Sequence, residues 1–91
     1  MPRSIRKVLY SSRFEKNFKN LPSGIQSLAL KKDKIFRGNP FHPSLKSHKL
    51  SGTFEGTWAY SINKQFRVHF YFLSDDVVVY ANIGTHEIYK K

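Results

Sequence analysis

No cysteine occurs in the 91 residues, which excludes disulfides and thiolate metal sites and fits a reducing compartment. Long apolar runs are missing too. A stretch such as Val77 to Ala81 is far too short to span a bilayer. The basic start MPRSIRKVLY is followed by SSRFEKNFKN rather than an apolar segment, so it does not read as a secretory signal. Repeats, low-complexity segments and linkers are lacking, and 91 residues leave no room for a second core. The expectation is one soluble, cytoplasmic domain over residues 1–91 with no membrane partner.

Acidic residues are scarce as well. Six stand against sixteen Lys and Arg, for a net charge of +10. The imbalance is local: residues 1–49 hold twelve basic and two acidic side chains, whereas residues 50–91 hold four of each. Such asymmetry points to a polyanion, and nucleic acid is the commonest in a cytosol. What the chain does have is aromatics, at 15%, enough to fill a modest core.

The pattern along the chain predicts an α+β fold. Ile5, Lys7 and Leu9 alternate with Arg6, Val8 and Tyr10, as in a short first strand. Ser11 or Ser12 then caps a helix, with Glu15 completing a capping box on Ser12. Phe14, Phe18 and Leu21 form its apolar face, and Pro22 stops it. A second helix, capped by Ser23, buries Ile25, Leu28, Ala29, Ile35 and Phe36 and ends at Gly38-Asn39-Pro40. Residues 38–57 read as a long basic loop. Beyond it the period becomes two. Trp58, Tyr60 and Ile62 begin a three-stranded antiparallel meander with turns at Asn63-Lys64-Gln65 and Ser74-Asp75-Asp76. Phe66, Val68, Phe70 and Phe72 share one face of its middle strand; Arg67, His69, Tyr71 and Leu73 share the other. Val77, Val79, Ala81 and Ile83 mark the third strand. The expected architecture is an N-terminal strand, a two-helix hairpin and the meander, with the helices packed on one face of the sheet.

Arg67 is the first candidate for chemistry. A guanidinium in mid-strand, opposite the aromatic row, must face water, a carboxylate or a phosphate. His86 follows the third strand, so the two are placed to converge at one edge of the sheet. A guanidinium, an imidazole and nearby lysines suit metal-free cleavage of RNA, whose 2′-hydroxyl supplies the nucleophile. Tyr89 is placed to stack on a base or transfer a proton. The histidines at 42, 48, 69 and 86 include no helical HxxxH pair and no carboxylate cluster, so no metal or other cofactor is expected. The aromatic rows are core first, with Trp58 or Tyr71 as a candidate stacking platform.

The segment from Leu45 to Lys91 resembles the C-terminal half of the RelE/ParE toxin superfamily, nearest its RelE-like and YafQ-like mRNA interferases. The motifs are HKLSG, GTW, FRV, SDD, VVVYANIGTH and Tyr89, in that order. FEKNFKNLP extends the likeness into the N-terminal half. The resemblance implies a RelE-like fold and a type II toxin that cuts mRNA in the ribosomal A site. It implies an acidic cognate antitoxin, and contact with operator DNA only through the antitoxin complex. Arg67 is similar to the strand arginine that contacts the scissile phosphate, and His86 to the C-terminal histidine acting as acid or base. His48 resembles the YafQ-like loop histidine, Tyr89 the terminal tyrosine, and Lys46 and Lys49 the loop lysines. Lys90 and Lys91 would add RNA contacts. Two departures stand out: Ser61 and Gln65 occupy positions where YafQ-like toxins carry histidine and aspartate, and His86 stands where RelE-like toxins carry arginine. The alternatives are a ParE-type DNA gyrase inhibitor and a non-catalytic nucleic-acid-binding relic of a toxin.

Overall fold

The computed structural model describes residues 4–50 and 56–85. The first strand, β1 (Lys7–Tyr10), leads into two helices, α1 (Ser12–Lys19) and α2 (Ser23–Gly38). A single 3-10 turn at Pro43–Leu45 precedes a two-residue strand, β2 (His48–Lys49). Then come β3 (Trp58–Ser61), β4 (Arg67–Ser74) and β5 (Val77–Gly84). One five-stranded sheet results, in the order β1-β5-β4-β3-β2. Every pairing is antiparallel except β1 with β5. This is the expected α+β arrangement, with one strand added: β2 lies inside the segment read as a loop. Two residues are too few for alternation to be visible in the sequence.

Local chemistry sets the helix ends. Ser11, not Ser12, caps α1: its Oγ accepts the Phe14 N–H at 3.0 Å. Glu15 therefore lies one place too far along for the expected capping box. Ser11 Oγ also donates to the Ala81 carbonyl at 2.7 Å, which ties the cap to the sheet. Pro22, rather than Ser23, precedes α2, and no side chain caps it.

The core lies between the helices and one sheet face. Phe36 of α2 is fully buried at its centre. Its ring lies 4.8 Å from those of Tyr60 and Phe70 and 5.6 Å from that of Tyr80. Phe14 and Phe18, one turn apart on α1, continue the aromatic layer. The buried phenols are satisfied: Tyr60 donates to the Tyr80 hydroxyl at 3.0 Å, and Tyr80 donates to Asp33 at 2.7 Å. The other Asp33 oxygen accepts from Arg37 at 2.9 Å, and Arg37 donates to the Tyr10 hydroxyl. Burial, above all, holds the Tyr60 and Tyr80 phenols far above the ordinary tyrosine range. Both remain neutral donors.

On β5 the residues of the core cluster are Val78, Tyr80 and Ile83, a set that no strict period of two describes, while Val79 is buried outside that cluster. The reason is a bulge. His69 pairs with Asn82 and Phe70 with Tyr80, so Ala81 is an extra residue and the side-chain phase shifts there. Asn17 of α1 donates to the Asn82 carboxamide at 2.6 Å, beside the bulge.

Truncating Phe36 to Ala empties the centre of this aromatic layer and should cost about 3–5 kcal/mol. That is a large share of the ~5–15 kcal/mol typical of a whole domain. Urea unfolding should show a sharply lower midpoint, and an unchanged midpoint would mean that the layer is not the core.

Candidate phosphodiester site on the sheet face opposite the helices

The alternation that buries Val68 and Phe70 turns Arg67 and His69 to the opposite face of β4. Register extends this face sideways. Ser61 pairs with Arg67, and Arg67 pairs with Gly84. One row along, His48 pairs with Ala59, Ala59 with His69, and His69 with Asn82. His48, Arg67 and His69 therefore share one face. Ala59 and His69 form its buried floor, at 0% and 5% exposure, while Arg67 is half-buried and His48 exposed at the rim. His48 and Arg67 are two strand spacings (~10 Å) and two residues (~7 Å) apart. A phosphate between two long side chains spans such a gap.

Arg67 is fixed in place. Its Nη1 donates to the carbonyls of Asn63 at 2.8 Å, Lys64 at 3.2 Å and Phe66 at 3.2 Å. Asn63 organises the same turn by accepting from the N–H groups of Gln65 and Phe66. This adds a role that the choice between water, carboxylate and phosphate did not include: one nitrogen clamps the β3–β4 turn. The three N–H donors on Nε and Nη2 are not part of that contact. The result is a pre-positioned cation.

His48 stands beside the 3-10 turn, where Nδ1 lies 3.1 Å from the Lys46 carbonyl. In the tautomer protonated at Nδ1 it donates to that oxygen, and Nε2 carries the lone pair a general base needs. Lys46 itself is exposed and adopts a left-handed φ of 53° as it caps the turn. Lys49 does not join this group. The period of two sends it to the helix side, where its Nζ lies 5.8 Å from the centre of the Trp58 ring. His42 serves the backbone instead. Its Nδ1 accepts the Ser44 N–H at 3.1 Å and caps the same turn.

His86, Tyr89, Lys90 and Lys91 lie outside the described residues. Their starting point is described. Gly84, the last residue of β5, is the direct neighbour of Arg67. Among the described residues no three His, Cys, Asp or Glu side chains cluster as metal ligands. None of the described helices is long and apolar enough to cross a membrane.

The sequence places His69 on the face of Arg67 and among four histidines without metal-ligand spacing; nothing there marks it as buried. Burial, and secondly the neighbouring His48, lowers its pKa below the usual 6.5.

No protein-family model matches the chain, and no curated protein matches it. Solved structures do. The RelBE2 toxin–antitoxin complex of Mycobacterium tuberculosis aligns over 94% of this chain and 98% of its own, with a TM-score of 0.78 at 12% identity. The YoeB/ParE toxin of Agrobacterium tumefaciens covers 88% and 98%, with a TM-score of 0.74 at 14% identity. YafQ of E. coli strain BL21(DE3) covers 92% and 97%, with a TM-score of 0.66 at 17% identity. The chain has the fold of the RelE/ParE toxin superfamily.

Two measurements check this geometry. Arg67→Ala should destabilise the domain by about 1–2 kcal/mol through the turn carbonyls it abandons, and Arg67→Gln, which keeps an amide donor, should recover part of that. Equal losses in both variants would assign the effect to charge instead. The second concerns His69. Below its ordinary value of 6.5 the unfolded chain takes up a proton that folded His69 resists. Stability should therefore fall as the pH drops below 6.5 and hold above it. His69→Leu should flatten the slope in urea titrations, and an unchanged slope would place the proton uptake elsewhere.

Proposed function

We propose that this protein is the toxin of a type II toxin–antitoxin pair and a ribosome-dependent mRNA endoribonuclease. The observation that carries the reading is the pairing of Arg67 with Gly84, on the face it shares with His48. β5 ends at Gly84, two residues before His86 in the sequence, beside a fixed guanidinium. The +10 charge supports it further, since a ribosomal A site is walled by phosphates.

In the proposed reaction the substrate's 2′-oxygen attacks the adjacent phosphorus as its proton passes to a base, His48 or His86. The bond from phosphorus to the 5′-oxygen breaks, and an acid returns a proton to that leaving oxygen. Arg67 stabilises the charge that builds on the non-bridging oxygens. Lys46, Lys90 and Lys91 hold flanking phosphates, and Tyr89 stacks or positions. RNA brings its own nucleophile, so the scheme requires no metal.

The structural neighbours include toxin–antitoxin complexes: RelBE2, an archaeal RelE–RelB and YoeB–YefM of Staphylococcus aureus. By that likeness an acidic antitoxin is the partner, with operator DNA met only through the pair. A ParE-type action on DNA gyrase is the second reading, favoured by the ParE in the name of the Agrobacterium neighbour.

Expression with primer extension on cellular mRNA decides between them. Wild type should give codon-phased cuts, and His86→Ala should lose about 100-fold or more, the usual scale for general acid–base catalysis. Gyrase–DNA adducts without mRNA cuts would replace the nuclease reading with the second one.

A further inference from the structure

Phe41 is 47% exposed, yet its loop is firmly built. Pro40 beside it is buried, Ser47 Oγ donates to the Pro40 carbonyl at 2.6 Å, and the Phe41 N–H donates to the Asn39 side chain at 3.0 Å. Leu45, four residues on, is fully buried. An ordered loop thus holds a large ring partly in water. The ring does not stand alone. It meets Trp58 at 5.4 Å and 65°, and Phe72 at 6.3 Å and 25°. Trp58 and Phe72 meet each other at 6.0 Å and 87°. The Lys49 ammonium lies 5.8 Å from the Trp58 ring centre. Three rings and a cation gather at one border of the sheet, on its helix side.

That border is β2, the last strand in the sheet order. Its two residues face opposite ways: His48 toward Arg67, Lys49 toward the rings. A polymer crossing this edge meets the phosphodiester site on one side and the aromatic shelf on the other, one strand apart.

We propose that Phe41, Trp58, Phe72 and Lys49 form a base-stacking subsite for single-stranded RNA, holding a nucleotide that flanks the phosphate bound by Arg67 and His48. The proposal rests on the nuclease reading for what occupies the other side of β2. Charge selects the occupant. Every base offers a π face to the rings, and the phosphate beside it meets the Lys49 ammonium. An apolar protein segment would instead have to bury that ammonium unpaired. The strong basic excess of residues 1–49, which include Phe41, Lys46 and Lys49, acts in the same direction. Stacking tolerates any base, so the subsite contributes affinity and placement rather than base identity.

Trp58 is the only tryptophan in the chain, so its fluorescence reports on the shelf directly. The probe is a 2′-O-methyl RNA of about eight nucleotides, which binds but lacks the hydroxyl needed for cleavage. Saturable quenching is expected with the single strand and not with a duplex of the same sequence. Phe41→Ala should weaken binding about tenfold, and Phe41→Tyr should retain it. Arg67→Gln should bind the strand more weakly, through the lost phosphate contact, yet reach the same quenching at saturation while losing mRNA cleavage. Quenching by wild type without any mRNA cleavage would support the shelf and remove the catalytic reading. Unmoved Trp58 emission, equal quenching by duplex, or wild-type affinity in Phe41→Ala would overturn the proposal. So would a Phe41→Ala variant that loses an antitoxin but keeps RNA, since the shelf would then be a protein contact.

Discussion

The alternation of β4 is the constraint on which the site depends. Val68 and Phe70 are drawn beneath Phe36 because apolar area is best removed from water. A period of two then forces Arg67 and His69 onto the opposite face. A slip by one residue would drive a guanidinium into the aromatic layer and expose the phenylalanines. The hydrophobic core therefore fixes where the cation stands, and the turn carbonyls of Asn63, Lys64 and Phe66 fix how it is held.

The two faces of the sheet divide the labour. Toward the helices, Tyr60, Tyr80, Asp33 and Arg37 form a chain in which each named donor has an acceptor. Such a chain costs little because its polar groups are paired, and it joins α2 to the middle of the sheet. Away from the helices, Ala59 is small enough to let His48 and His69 share one row, and His69 feels His48 as a like charge in waiting. The β5 bulge at Ala81 brings Tyr80 and Ile83 to the same inner face and leaves Gly84 beside Arg67.

Much of this was legible in the sequence. The alternation over Phe66–Leu73 announced the faces of β4, and Pro22 and the Gly38-Asn39-Pro40 stop bounded the helices. The order of motifs announced the RelE-like fold. Other features were hidden for physical reasons. A bulge adds one residue without any composition signal, so alternation alone does not say which β5 residues turn inward. The strand β2 exists only through pairing with Trp58 and Ala59, and two residues carry no period. Alternation placed Lys49 opposite His48 only once that pairing was known. The burial of His69 and the clamp from Arg67 to the turn depend on contacts made across strands. His86 and Tyr89 rest on the resemblance and on the place where β5 ends.

The proposed function has Arg67 and His86 acting on one phosphorus atom. A double-mutant cycle of Arg67→Gln and His86→Ala, read as the rate of mRNA cleavage on ribosomes, tests it most directly. Groups that serve one transition state are strongly non-additive, so the double variant should cleave about as slowly as the worse single variant. Losses that multiply would mean that the two side chains act independently, and the shared site would be refuted.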